Sequence, residues 1–133
     1  MTTQTIAAPT PSKYGALILR LNAAFSAICA ILLLLGGDSL SQTLGIIPTW
    51  VVPPTAVFLL VYASGLAYFS TRTLTALQWR VAALLDDIWI VTTLLLVVAN
   101  VFPLTSTGVV AILVTNIVLA SFAVAEWLQA RTA

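Results

Sequence analysis

The sequence predicts an all-α fold: a four-helix transmembrane bundle, up-down-up-down, with N and C termini cytoplasmic. Three observations carry that expectation. Four apolar runs, at about residues 14–37, 54–71, 77–101 and 106–129, fill most of the 133-residue chain. Each matches the ~17–25 residues that a helix needs to cross a hydrocarbon core. Hydrophobic residues make up 61% of the chain and charged residues 7%, against about 25% charged in a soluble domain. Such a composition cannot cover a water-facing surface. All five basic residues (Lys13, Arg20, Arg72, Arg80 and Arg131) fall on one side of the resulting bundle, and basic residues in short loops favour the cytoplasm.

Residues 1–13 are polar, small and Pro-containing, and read as a disordered N-terminal tail. The single membrane domain spans 14–131. Its first run is longer than the ~7–15 residues of a secretory apolar region. Arg20 interrupts it and Gly36-Gly37-Asp38 is a poor cleavage context, so it reads as a retained helix. Residues 38–53 form an interfacial loop. Within it, Asp38 or Ser39 can cap a short helix through Thr43, with Leu40 and Leu44 on one face and Gly45 ending it. Ile46, Ile47 and Trp50 then rest in the interfacial layer, where Trp is favoured. Pro53-Pro54 opens the second helix, since Pro is tolerated in a first helical turn. The polar link 71–76 turns the chain into the third helix. Pro103 and a Ser106 cap mark the start of the fourth, and such short links imply antiparallel neighbours. Arg20 and Arg80 each stand about one turn inside an odd-numbered helix, a faint echo between the two halves.

Polar residues inside a spanning segment must face protein or water, so they are the candidate functional residues. Here they are Arg20, Asn22, Arg80, Asp86, Asp87, Asn116 and Glu126. Asp86 and Asp87 lie about 13–15 Å along the third helix, near mid-membrane, where one Asp costs roughly 2.5–3.5 kcal/mol. They point about 100° apart, so that side of the helix must be well covered. The expected compensation is a buried charge cluster of Asp86, Asp87 and Glu126 with Arg20 and Arg80. Three acids against two bases leave one carboxylate without a partner: either it is protonated or reaches water while the cluster fixes helix register, or it binds and releases a proton or cation during transport. Asn22, Ser26 and Cys29 on the first helix, and Asn116 and Ala120 on the fourth, are expected to serve helix packing through small side chains and buried amides.

Other chemistry is poorly supported. The chain has no histidine and one cysteine, Cys29, which removes the usual haem, zinc and copper ligands. No metal site, cofactor or intrachain disulfide is expected. No acid–base pair involving His and no phosphate-cradling glycine loop is present, so the reading is non-enzymatic. A net charge of +1 gives no basic surface for nucleic acid. Tyr62, Tyr68, Trp79, Trp89 and Trp127 read as membrane anchors or packing residues.

The run Asp86-Asp87-Ile88-Trp89-Ile90-Val91-Thr92-Thr93, followed by Pro103-Leu104-Thr105 and Gly108, resembles small bacterial four-helix integral membrane proteins of an uncharacterised family. The loop Gly45-Ile46-Ile47-Pro48 is similar to theirs as well. The resemblance implies the fold over nearly the whole chain and a multi-pass place in the bacterial cytoplasmic (inner) membrane. The chain departs from small multidrug exporters, because Arg20 occupies the region where those carry an early acidic residue. Two functions are therefore expected. One is an accessory or scaffolding subunit of a membrane assembly, as a homo-oligomer or within a larger complex in the lipid bilayer. The alternative is a small oligomeric proton-coupled transporter using buried carboxylates.

Overall fold

A computed structural model describes residues 12–133. Residues 1–11, most of the expected N-terminal tail, lie outside the described residues. Four α-helices follow: α1 (Lys13–Leu44), α2 (Val52–Phe69), α3 (Ala76–Val98) and α4 (Ser106–Thr132), with a 3-10 turn at Thr49–Val51 before α2. Among the described residues there is no strand. All four helices are long and apolar enough to cross a membrane. The chain is a four-helix bundle of the multi-pass membrane class.

Helix limits follow local chemistry. The Ser12 hydroxyl caps α1 by accepting from the Gly15 N–H at 2.9 Å, placing Lys13 inside the helix. At Gly37 the backbone leaves the helical region (φ 52°, ψ −145°) and then resumes it, so α1 continues beyond the expected end at 37 as a kinked turn to Leu44. Gly45, at φ 79°, closes that turn. Its N–H bonds the Gln42 carbonyl and the Ile46 N–H bonds the Ser41 carbonyl, a paired arrangement that a left-handed residue permits. The short helix expected within the 38–53 segment is thus present, running to Leu44 and closed by Gly45. Pro53 and Pro54 sit in the first turn of α2, which starts at Val52, two residues earlier than the sequence suggests. Thr75 and Gln78 form a reciprocal cap at the start of α3. Thr105, rather than Ser106, caps α4 by accepting from the Gly108 N–H at 3.1 Å.

Each helix buries a stripe at spacings of three and four residues, the pattern of one face of a 3.6-residue helix. On α2 it is Val52, Ala56, Leu59, Ala63 and Leu66; on α4 it is Asn116, Leu119, Ala123, Glu126 and Ala130. The remaining faces stay apolar, with Leu35 81% and Val98 82% exposed. In water such surfaces would aggregate; in lipid they are the solvent-facing side.

α1 packs along both α2 and α4, and α3 packs along α4. The end of α1 locks onto the start of α4: the Leu44 carbonyl accepts from the Thr105 N–H at 3.1 Å, and the Thr105 hydroxyl donates to the Thr43 carbonyl at 2.6 Å. Gly45 and Gly108 lie at that junction. A Cβ on Gly108 would collide with the Leu44 carbonyl, and one on Gly45 with backbone of Pro103 and Leu104. By contrast, no Cα of α2 comes within 8 Å of α3. Aromatic side chains bridge that gap: Phe58 lies parallel to Tyr62 at 6.4 Å and to Trp89 at 6.2 Å between ring centres.

Two apolar clusters result. One, of Leu19, Ala23, Leu66, Leu74, Trp79 and Ala130, closes the end of the bundle that carries the basic residues. The other, of Ala30, Ala56 and Leu59 with Cys29, Leu33 and Trp89 packed against it, lies deeper. The close approach at Gly108 generates a prediction. Gly108→Ala should lower stability in detergent by about 1–3 kcal/mol, as overpacking does. Gly65→Ala, where no atom lies within 4 Å of the added Cβ, should hold or raise it by up to ~1 kcal/mol. Thermal unfolding of the two variants checks both.

Candidate functional site

Between the two apolar clusters lies a polar layer built from all four helices. Asn22 on α1, Asp86 on α3 and Glu126 on α4 all belong to the buried stripes of their helices, with 0%, 2% and 0% exposure. The Asn22 side-chain nitrogen donates to Asp86 Oδ2 at 2.8 Å and to Glu126 Oε1 at 3.0 Å. An amide NH2 has two donors; here each acid takes one. Tyr62 of α2 completes the layer, its hydroxyl donating to Asp86 Oδ1 at 2.7 Å. Ser26, one turn on from Asn22, donates to Asn22 Oδ1 at 3.4 Å. Asp86 thus has a donor on each oxygen. Glu126 Oε2 is buried without a hydrogen-bond donor.

The two acids are held on one nitrogen, with a carboxylate oxygen of each within 3.0 Å of it. Two carboxylates so placed repel, whereas a carboxylic acid can donate its O–H to the neighbouring carboxylate. A cavity of about 20 Å³ borders the layer between α2 and α3, lined by Asp86, Tyr62, Ser26, Phe58 and Trp89 among others. That is room for about one water molecule. Among the described residues, no three His, Cys, Asp or Glu side chains converge on a possible metal position.

The expected charge cluster is corrected in its composition. Asp86 and Glu126 meet, but Arg20 and Arg80 are exposed and take no part. The reason is angular. Arg20 precedes Asn22 by two residues, about 200° around the axis, so an inward Asn22 turns Arg20 outward. Arg80 shares a face with Asp87, yet stands about 10 Å from it along the axis, beyond ion-pair distance. Asp87 lies at the edge of the bundle, half-buried, where the Trp127 indole N–H donates to its Oδ2 at 2.9 Å. Asp86 and Asp87 therefore do different work: one faces the interior, the other ties α3 to α4 beside it.

The packing residues also divide. Ser26 and Asn116 are buried and Cys29 is half-buried. Asn116 exchanges hydrogen bonds with the Thr93 hydroxyl of α3 at 2.9 and 3.1 Å. Ala120 is a correction. It is exposed, because the buried stripe of α4 steps from Leu119 to Ala123 and leaves it about 80° off centre. Tyr62 and Trp127, read from sequence as anchors or packing, supply the donors in place of arginine. Tyr62 carries a legible signal, since it stands three residues after Leu59 and four before Leu66 on the buried face of α2.

No family model, curated protein or solved structure matches this chain, so the chemistry of the layer itself carries the functional reading.

Asn22→Leu removes one donor from each acid and should cost about 1–3 kcal/mol, the penalty of unsatisfied buried polar groups. Glu126→Gln keeps an acceptor for Asn22 and should stay within about 1 kcal/mol of the parent. Denaturation in mild detergent compares the two; equal losses would refute the shared-amide account.

Proposed function

We propose that this chain is a non-enzymatic, multi-pass protein of the bacterial cytoplasmic membrane in which Asp86 and Glu126 hold and exchange one proton. It would work as a small proton-coupled transport unit assembled from several copies. The single observation carrying this reading is an acid pair, buried in a lipid-facing bundle, whose partners are Asn22 and Tyr62 rather than Lys or Arg. In a low-dielectric interior two unneutralised carboxylates cannot both stay charged. One proton between them removes the conflict, and losing it would drive a rearrangement. That is the property on which coupling to a proton gradient depends.

The accessory or scaffolding role is the second reading. The outer half of α3 supports it, with Val91, Leu95 and Val98 exposed and able to meet another membrane helix. In both readings the helices alternate direction through the bilayer and both termini are cytoplasmic, which the placement of the five basic residues supports.

Infrared spectroscopy of the reconstituted protein separates the readings. Under the proton-exchange reading, a buried carboxylic-acid carbonyl band changes with pH and disappears in both Asp86→Asn and Glu126→Gln. A spectrum without such a band over the accessible pH range would overturn it; altered co-purifying proteins in the same variants would favour the scaffold. Orientation is tested by fusions after Ala133. A fluorescent protein that matures only in the cytoplasm should be bright there, and a phosphatase that needs export should be inactive.

A further inference from the structure

The link between α2 and α3 forms a second feature, remote from the acid pair. Phe69, Thr71, Arg72, Leu74, Thr75 and Gln78 line an open concavity of about 520 Å³, within the range of small-ligand sites. Its floor is apolar, through Phe69 and the buried Leu74. Its rim is polar. The cap at the start of α3 consumes acceptors: Gln78 Oε1 accepts from the Thr75 N–H at 2.9 Å, and Thr75 Oγ accepts from the Gln78 N–H at 3.2 Å. The Gln78 amide NH2 and the Thr75 O–H are left to donate. Arg72 adds its guanidinium, which sits 4.5 Å above the Tyr68 ring and so has a held direction. No acidic residue lines the concavity. The first turn of α3 opens at Thr75, adding the positive end of its peptide dipole.

We infer that this concavity binds the phosphate of an anionic phospholipid headgroup. A guanidinium beside an amide NH2 and a hydroxyl, with no carboxylate in the lining, favours an anion. One guanidinium matches the single negative charge of a phosphodiester and can grip two of its oxygens at once. An apolar floor beneath a polar rim suits a group that continues into glycerol and acyl chains. The link joins two membrane-spanning helices, so it stands at headgroup depth, where basic residues between helices meet anionic lipid.

Native mass spectrometry of the full chain in mild detergent tests this with added phosphatidylglycerol or phosphatidylcholine. The protein should retain phosphatidylglycerol at least about fivefold more than phosphatidylcholine. Arg72→Gln should abolish that preference, Arg72→Lys should keep part of it, and Arg131→Gln should leave it intact. Arg72 is exposed, so its loss should leave helix content by circular dichroism unchanged. Equal retention of both lipids, an unchanged preference in Arg72→Gln, or an equal loss in Arg131→Gln would overturn the site. Displacement of the lipid by millimolar inorganic phosphate would assign the concavity to a soluble anion and overturn the lipid proposal.

Discussion

One side-chain amide ties the interior of this bundle together. Asn22 has two N–H donors and spends them on acids from two other helices, Asp86 of α3 and Glu126 of α4. Tyr62 brings α2 to the same point through Asp86. Outside the bundle the solvent is hydrocarbon, where an unpaired polar group finds nothing to bond. The polar layer must satisfy itself, and doing so sets which face of every helix points inward. Rotating α1 by one residue, about 100°, would expose Asn22 to lipid and strip both acids of their shared donor.

The apolar packing supports that layer rather than competing with it. The cluster around Leu19 and Trp79 closes one side of it, and the cluster of Ala30, Ala56 and Leu59 closes the other. Burial on both sides keeps the local dielectric low, which strengthens each hydrogen bond and raises the cost of an unpaired charge. Tightness is uneven around the bundle. At the Leu44–Gly108 junction backbones touch, whereas α2 and α3 stand apart and meet through aromatic rings.

Much of the architecture was legible in the sequence, because lipid imposes a length on every span and turns polar residues inward. The helix count rests on that constraint, as does the inward placement of Asn22, Asp86, Glu126 and Asn116. The partners were not legible, and the reason is specific. Matching charge with charge predicts Arg20 and Arg80 as counterions, yet the angle between Arg20 and Asn22 already excludes both from facing inward. A stripe drawn at spacings of three and four through Asn22 on α1 omits Arg20, and one through Asp86 on α3 omits Arg80. What no stripe supplies is which helices become neighbours, and so that Tyr62 would meet Asp86, and Trp127 would meet Asp87. The short helix after Gly37 was legible in the sequence, since a capping residue at 38 or 39 and a closing Gly45 bracket it, and the backbone does break from helical angles at Gly37 before resuming them.

The absence of arginine from the acid layer also changes what a proton there would do. In an ion-paired cluster the basic partner holds each carboxylate ionised, and a proton adds little. With an amide and a phenol as partners, every donor around Asp86 is neutral, so the charge of the pair is set by protons alone. Asn22 can donate equally to an acid or to its conjugate base, which lets it remain in place through either state. Glu126 Oε2 is buried without a donor among the described residues, so an ionised oxygen there has nothing to accept, and burial without a partner disfavours the charged form.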